Sequence, residues 1–245
     1  MAKILWKNFV YPQGDNLEIK SKKINCFFPK GNLEKVRSFN YNNKQLLGQF
    51  GHVSRSSSRA CSLLHFACST LPSECLNVIN QDTFRVGIYC AVENGTVDYD
   101  MVERILAQDR QDFHRNYKRE RNPKMYLQQL PNLIATQLGI SYGVNGPTYV
   151  FTHPELGSLQ ALEQAEFDLD HSYTSLALLV SAFSNEDGLN LFKNSKLSDL
   201  PLSECGVAIL LSAGVEKLDK MEPSAYNYNY GITNQLIYKF NLHEE

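Results

Sequence analysis

The sequence predicts a layered α/β fold in which helices flank a mixed, mostly buried β-sheet. Three short runs of aliphatic and β-branched residues, each bounded by polar residues, have the composition of buried strands: residues 84–91, 175–183 and 205–211. A helical spacing of apolar side chains lies between the first two runs, at Leu127, Leu130, Ile134 and Leu138. Strands that alternate with helices are typical of an α/β fold, whose sheet is covered on both faces.

The first fifty residues predict one strand and little else. Residues 4–10 are mostly apolar and lead into residues 11–16, whose Pro, Gly, Asp and Asn favour a turn. The chain from there to about residue 50 is polar, and we expect it to be irregular.

A buried helix is predicted at residues 60–68. The run 54–59 supplies several serine hydroxyls ahead of this apolar stretch, and serine is a preferred N-cap because its oxygen accepts from an unpaired backbone N–H. Pro72 either ends this helix or begins its successor.

After the strand at 84–91, residues 98–108 predict a helix with Val102, Ile105 and Leu106 on one face. Residues 109–124 are dense in charge. Interleaved acidic residues favour a solvated loop there, with a basic docking surface as the alternative. The cations of this stretch are Arg110, Arg115, Lys118, Arg119 and Arg121.

The second half of the chain alternates helices and strands. The helix at 127–141 is expected to end near Gly143, and a strand at 148–152 and a helix at 157–166 follow. Residues 185–199 are polar and are predicted to be a linker.

A short apolar run at the end of the chain, residues 236–240, predicts a final strand. We therefore expect one domain, residues 1–216, and a C-terminal tail, residues 217–245, that carries this strand. A chain of this length can bury a substantial core without disulfides.

Composition excludes several classes of function. The 245 residues are 43% hydrophobic and 20% charged with a formal net charge of −2, so bulk charge predicts no nucleic-acid partner. No apolar run approaches the roughly 20 residues of a membrane span. The six cysteines form no C-x-x-C pair, which predicts no metal site and favours the reducing cytoplasm. We also expect no cofactor.

One ordered set of motifs resembles a known family. Asn132-Leu133-Ile134-Ala135 on a helix precedes Tyr142-Gly143-Val144-Asn145-Gly146-Pro147, the strand at 148–151 and a turn, and Glu204 to Leu211 forms a later apolar strand. This order is similar to the N-terminal half of β-ketoacyl synthases of the thiolase superfamily, across roughly residues 80 to 213. The resemblance implies a thiolase-like layered fold.

The chain departs from that family at two points. Active members carry a nucleophilic cysteine eight residues after the proline of Gly-Pro, and that position is Glu155 here. The resemblance also implies two histidines from a C-terminal half, which this chain is expected to lack. A thiolate at a helix N-terminus accepts acyl groups well, whereas a carboxylate is a poor acceptor of a thioester.

The resemblance therefore implies a catalytically inactive chain length factor, as in aryl polyene and related type II polyketide pathways. Its partner would be a full-length β-ketoacyl synthase, in a heterodimer that meets acyl carrier protein only indirectly. The candidate tunnel and interface residues are Met125, Tyr126, Leu130, Asn132, Thr148, Val150 and Phe151. If the basic stretch 109–124 docks a ligand, the resemblance implies a phosphopantetheine group or the acidic surface of a carrier protein.

Alternatives remain at the Glu155 turn. A diverged enzyme would use Glu155 and His153 on a bound acyl thioester, by hydrolysis or dehydration, from within a cavity. Glu155 as a helix cap or an interface ion-pair residue is the simpler interpretation. His153 and Glu155 also form the H-x-E fragment of zinc deaminases, but the P-C-x-x-C that completes that site is absent.

Overall fold

The structure is a computed structural model. It describes residues 2–23, 33–54, 56–93, 104–107, 110–120, 127–186, 188–196, 200–214 and 229–242. In chain order the strands are β1 (Ala2–Val10), β2 (Leu17–Lys23), β3 (Leu33–Phe39), β4 (Val86–Val92), β5 (Thr148–Phe151), β6 (Leu176–Phe183) and β7 (Cys205–Ala213). The helices are α1 (Asn43–Leu47), α2 (Arg59–Cys68), α3 (Ser73–Gln81), α4 (Phe113–Glu120), α5 (Pro131–Tyr142), α6 (Gly157–Asp170), α7 (Gly188–Ser195) and α8 (Asn234–Lys239).

The main sheet is mixed and has the strand order β1-β7-β6-β4-β5. The strands β6, β4 and β5 are parallel, while β7 runs antiparallel to both β6 and β1. The strands β4 and β6 are buried along their whole length, because helices cover both faces of this part of the sheet. The predicted mixed, mostly buried sheet is therefore confirmed.

Alternate residues of β4 enter two separate halves of the core. Ile88 and Cys90 pack with α2 and α5 on one face, and Tyr89 and Ala91 pack with α6 and the C-terminal segment on the other. This is the two-residue period of a strand that is buried on both sides. The layers are thus helix, sheet and helix.

Local sequence explains how two of the helices begin and end. The Ser58 side chain accepts a hydrogen bond from the backbone N–H of Cys61, so the predicted serine N-cap of α2 is confirmed. The helix α5 ends at Gly143, whose φ of 69° is left-handed and favours glycine. Pro72 directly precedes α3, which confirms the prediction that it begins the helix after α2.

The prediction of an irregular segment up to residue 50 was wrong. The strands β2 and β3 form a separate antiparallel hairpin, and α1 follows it. The strand β2, Leu-Glu-Ile-Lys-Ser-Lys-Lys, is so polar that the alternation of Leu17 and Ile19 is its only apolar signal.

Three further predictions were wrong in secondary structure. The charged stretch expected as a loop contains α4, the linker at 185–199 contains α7, and the final strand at 236–240 is part of α8. An apolar run of about five residues fits a strand or a buried helix equally well, and Leu236 and Ile237 are buried in the core.

The predicted helix at 98–108 lies mostly outside the described residues. Residues 104–106 are helical, Ile105 is buried and Leu106 is exposed, so these two side chains do not share a buried face. Val102 lies outside the described residues.

Candidate functional site

The turn between β5 and α6, residues 152–156, lies at the carboxyl end of the parallel strands. Because β4 and β6 run parallel to β5, Glu93 after β4 and Ser184 after β6 leave the sheet at the same edge as this turn. Ligands of α/β proteins bind preferentially at this edge of the sheet. The turn that carries Glu155 is therefore the candidate functional site.

His153 stabilises this turn through hydrogen bonds to its backbone. Its Nδ1 accepts hydrogen bonds from the backbone N–H groups of Glu155 at 3.3 Å and Leu156 at 3.2 Å, and its carbonyl oxygen accepts from the N–H of Gly157 at 2.8 Å. No side chain caps α6 itself. The sequence suggested Glu155 as the capping group, but it is the His153 side chain that binds the backbone here.

The Glu155 side chain is exposed, as is His153. Its carboxylate makes no hydrogen bond or ion pair with the described residues. The N-terminal end of α6 favours a negative charge near this position, because its first backbone N–H groups point outward. An acid or base role for Glu155 requires an enclosed cavity, and the part of the chain that the structure describes leaves this side chain exposed.

The first turn of α6 is tightly packed on its inner side. A Cβ at Gly157 would lie 2.8 Å from the Cδ1 of Ile232, so glycine permits the close approach of the C-terminal segment to the start of α6. The neighbouring Ser158 is fully buried, and its Oγ has no hydrogen-bond partner among the described residues. Buried hydroxyls of this kind are uncommon and reduce stability.

A second polar group lies buried at the same edge of the sheet. Glu93 follows β4, and its Oε1 accepts a hydrogen bond of 2.7 Å from the Nδ2 of Asn194 on α7. Neither residue was predicted as a site residue from the sequence, because Glu93 ends an apolar run and Asn194 lies in a segment predicted as a linker. A carboxylate directly after a buried parallel strand is the signal that could have indicated this edge.

The strand β5 is the outer strand of the main sheet, and its far edge is open in the described part of the chain. The backbone N–H of Ile88 donates to the carbonyl oxygen of Pro147 at 2.8 Å. In a parallel ladder this makes Thr148 and Val150 the residues whose backbone N–H groups point away from β4. An edge of this kind is a template for another strand.

Apolar side chains are exposed on β5 and at the helix that packs against it. Tyr149 is 37% exposed and stacks on Tyr89 with the ring centroids 5.5 Å apart. Leu130, directly before α5, is 46% exposed, and Ile140 on α5 is 78% exposed. Exposed aromatic and aliphatic side chains around an open strand favour an interaction surface.

The structure places most of the predicted interface residues around β5. Asn132 and Thr148 are exposed, and Val150 and Phe151 are half-buried on opposite faces of the sheet. Leu130 lies at the start of α5, which packs against β5. Met125 and Tyr126 lie outside the described residues.

A cysteine and a histidine also meet inside the protein, between α2 and α5. His65 is buried, with Nδ1 3.0 Å from the carbonyl oxygen of Cys61 and Nε2 2.9 Å from the Oγ of Ser141. Burial raises the pKa of the Cys61 thiol to about 12 and lowers the pKa of His65. The thiol therefore stays protonated at neutral pH, as in a buried cysteine that packs as a small apolar side chain.

The other four cysteines that the structure describes are also free. Cys68, Cys90 and Cys205 are buried, and burial raises the pKa of each thiol. Cys61, Cys68 and Cys75, which repeat every seven residues, are divided between α2 and α3 and do not form one helical face. Cys26 lies outside the described residues.

Sequence comparisons find no relatives. No protein-family model matches the chain, and no curated protein matches it in sequence. Within the described residues, no helix has the length and apolar composition that a membrane crossing requires.

Solved structures share the fold. A chain of the complex between the ketosynthase ApeO and its chain length factor ApeC from Xenorhabdus doucetiae matches with a TM-score of 0.61 and 12% identity, over 88% of this chain and 58% of that one. A chain of AntDE:AntF, a type II polyketide synthase acyl-carrier protein in complex with its ketosynthase, matches with a TM-score of 0.63 and 14% identity, over 86% and 62%.

The ishigamide ketosynthase/chain length factor matches with a TM-score of 0.61 and 15% identity, over 86% of this chain and 62% of that one. The chain thus spans about six tenths of the length of these solved proteins. Identities this low establish the fold alone. The chain has the thiolase-like fold of ketosynthases and chain length factors.

Proposed function

We propose that this chain is a non-catalytic, chain length factor-like subunit that pairs with a full-length β-ketoacyl synthase. It would complete and gate the acyl tunnel of that enzyme during polyketide or polyene elongation on an acyl carrier protein. The observation that carries the proposal is the open edge of β5, which leads directly into a turn with Glu155 at the position that the resemblance gives to the nucleophile. The shared fold with ketosynthase and chain length factor complexes supports it.

The chemistry of Glu155 supports a silent role. An acyl acceptor must displace a thiol from a thioester, and a thiolate at a helix N-terminus does so because its product is another thioester. A carboxylate would instead form a mixed anhydride, which is much higher in energy than the thioester consumed. The positive end of the α6 dipole would thus still favour an anionic nucleophile. The carboxylate at the reactive position, however, cannot hold the acyl group as a stable intermediate.

The geometry of β5 supports pairing. Strand addition at the outward N–H groups of Thr148 and Val150 would extend the sheet into the partner. Tyr149, Leu130 and Ile140 supply the exposed apolar area that a stable interface requires beside such a ladder. The same surface borders the turn of Glu155, so a partner that pairs here would have its own site nearby.

The resemblance supports a role in the tunnel. It implies that Met125, Tyr126 and Leu130 belong to a segment that reaches across the dimer toward the acyl chain of the partner, where it would limit the length of that chain. Chain growth against a filled pocket would be opposed by about 1–3 kcal/mol, the usual penalty of overpacking. Substituting smaller residues for Met125 or Leu130 would then lengthen the product.

The diverged enzyme is the less favoured function. It requires Glu155 and His153 to work on an enclosed thioester, and both side chains are exposed. His153 Nδ1 is also occupied by two backbone N–H groups.

Co-expression with a full-length β-ketoacyl synthase from the same genome tests the proposal. Chain elongation should depend on this subunit, and Glu155→Gln should leave the product and its amount unchanged because the carboxylate takes no part in catalysis. Loss of activity in Glu155→Gln, with the complex intact, would contradict the proposal and favour the diverged enzyme.

A further inference from the structure

Three aromatic rings stack on the surface where α6 ends. Phe167 lies in the last turn of α6, and His171 and Tyr173 follow in the turn that leads to β6. The ring centroid of His171 lies 4.1 Å from that of Phe167 and 6.0 Å from that of Tyr173, and the His171 and Tyr173 planes differ by 14°. All three side chains are exposed, Phe167 by 49% and Tyr173 by 62%. We call these three residues the ring stack.

The backbone of the turn holds the ring stack in place. The Nδ1 of His171 donates to the carbonyl oxygen of Phe167 at 2.8 Å, and the N–H of Tyr173 donates to the carbonyl oxygen of Asp168 at 2.8 Å. Between the two rings, Ser172 has a φ of 57°, a left-handed conformation that glycine adopts more readily than serine. This conformation places Tyr173 against His171, so the rings are ordered before any partner binds.

The surface around the ring stack is negative. Phe167 shares the outer face of α6 with Glu163 and Asp170, which are both exposed, because residues three and four apart lie on one face of a helix. The negative end of a helix dipole favours a cation in the last turn, but α6 contains no lysine or arginine and carries Asp170 there instead. Arg85 reaches this turn, and its Nη2 donates to the carbonyl oxygen of Ser172 at 3.1 Å. The helix itself thus supplies no cation to balance its end.

We infer that the ring stack and the carboxylates beside it bind an arginine side chain that a partner protein presents. Aromatic faces attract cations, and a planar guanidinium can also stack flat on a ring, which a compact ammonium cannot. Glu163 or Asp170 would pair with the same guanidinium through a charge-assisted hydrogen bond. The negative charge disfavours a nucleic acid, whose bases would otherwise suit exposed rings.

This site is separate from the turn that carries Glu155. Tyr173 lies just before β6, at the amino end of the parallel strands, whereas Glu155 lies at their carboxyl end. The 14 residues of α6 connect the two ends, over a length of about 20 Å. The inference therefore goes beyond the proposed function and does not depend on it.

Calorimetric titration of the full chain with capped peptides tests the inference. At about 100 mM salt, hexa-arginine should bind at least about fivefold more tightly than hexa-lysine, because stacking adds to the charge attraction that both peptides share. Phe167→Ala/Tyr173→Ala should weaken hexa-arginine binding about tenfold and change hexa-lysine binding less than about twofold.

The matched control removes two stacked rings from another helix. Phe113 and Tyr117 on α4 have ring centroids 6.1 Å apart, and Phe113→Ala/Tyr117→Ala should leave both peptide affinities unchanged. If circular dichroism shows that the ring-stack variant does not fold, Tyr173→Leu takes its place. It keeps an apolar side chain at an exposed position and should still lose most of the preference for arginine.

The carboxylates are tested by neutralising one of them. Asp170→Asn should weaken hexa-arginine binding about threefold, whereas Asp15→Asn, at an exposed position of the loop before β2, should have little effect.

Three results would overturn the inference. Equal affinity for the two peptides, or a preference for arginine that survives the loss of the rings, would exclude stacking of a guanidinium. Tighter binding of a single-stranded oligonucleotide than of hexa-arginine would assign the rings to nucleic acid. Self-association of the chain that disappears in Phe167→Ala/Tyr173→Ala would assign them to a contact between copies. None of these titrations contains a ketosynthase, so their failure leaves the proposed function to its own test.

Discussion

Arg59 and Glu204 form a buried ion pair with two points of contact. The Nη2 of Arg59 donates to Oε2 at 2.8 Å and its Nε donates to Oε1 at 3.1 Å. Backbone groups nearby satisfy further hydrogen-bonding capacity of these two side chains. The guanidinium also donates to the carbonyl oxygens of Phe39 and Tyr41, and Oε2 accepts from the backbone N–H of Phe39. This network joins the start of α2 to the end of β3 and the start of β7.

Breaking this pair on one side should be strongly destabilising. Glu204→Gln leaves the buried Arg59 guanidinium without its counter-ion, and we expect the free energy of unfolding to fall by about 3–5 kcal/mol in urea or guanidinium titrations. The exposed pair Lys20 and Glu18 provides the control, since Glu18→Gln should change stability by less than about 1 kcal/mol. Similar small effects of both variants would contradict a structural role for the network.

His65 should make stability depend on pH. Its folded pKa is lowered by burial, so the unfolded chain binds the proton more readily once the pH falls below the unfolded pKa of about 6.5. The free energy of unfolding should therefore fall as the pH drops from about 7 to 5.5, by up to about 1.4 kcal/mol per pH unit, and level off below the folded pKa. His65→Gln should flatten this slope, and an unchanged slope would assign the pH dependence to other groups.

The buried thiols should be unreactive in the folded protein. A pKa of about 12 for Cys61, Cys68 and Cys205 lowers the thiolate fraction roughly a thousandfold relative to an ordinary thiol. In a Cys26→Ser background, a thiol reagent at pH 8 should modify the half-buried Cys75 first and the others only on unfolding. Fast modification that persists in Cys26→Ser/Cys75→Ser would contradict the burial of these thiols.

The buried Asp168 depends on hydrogen bonds from two side chains. The hydroxyl of Tyr89 donates to Oδ2 at 2.7 Å, and the Nε2 of Gln164 donates to Oδ1 at 2.9 Å. Tyr89→Phe should lower the free energy of unfolding by about 1–3 kcal/mol, because it leaves a buried carboxylate oxygen without this donor. Tyr173→Phe removes the hydroxyl of an exposed ring and should be nearly neutral, so an equal effect of both changes would contradict this account.

Sequence alone was sufficient for the parts of the fold that local composition determines. The apolar runs that became β4, β6 and β7, and the serine that begins α2, were predicted because a buried strand and an N-cap each leave a local signature. The helix α4 left none, since Phe-His-Arg-Asn-Tyr-Lys-Arg-Glu lacks an apolar stripe and exposes most of its side chains.

The side-chain contacts between the layers could not be predicted from the sequence, for a different reason. Arg59 and Glu204 are 145 positions apart, and nothing near either residue in the sequence indicates its partner. The same holds for Glu93 and Asn194. At the candidate site, a turn that carries Glu155 between a strand and a helix was predicted. The role of His153 in holding that turn was not, because it depends on side-chain geometry that no spacing rule contains.

The edge of β5 can be tested without altering the rest of the sheet. Thr148→Pro removes an outward N–H, and a proline is tolerated at an edge position whose N–H faces away from the neighbouring strand. We expect it to abolish association with the ketosynthase while Thr148→Ala, which keeps the N–H, associates normally. Circular dichroism of both variants should match that of the unchanged chain, and full association of a folded Thr148→Pro would exclude strand addition at this edge.

The most direct measurement is made on the tagged chain after co-expression with a full-length ketosynthase from the same genome. Native mass spectrometry gives the mass of the complex, and the length of the product is recorded beside it. The account predicts a 1:1 heterodimer, and a product whose length increases when Leu130 is replaced by alanine. A folded chain that remains free of the ketosynthase, while the ketosynthase alone makes the same product, would contradict the central claim.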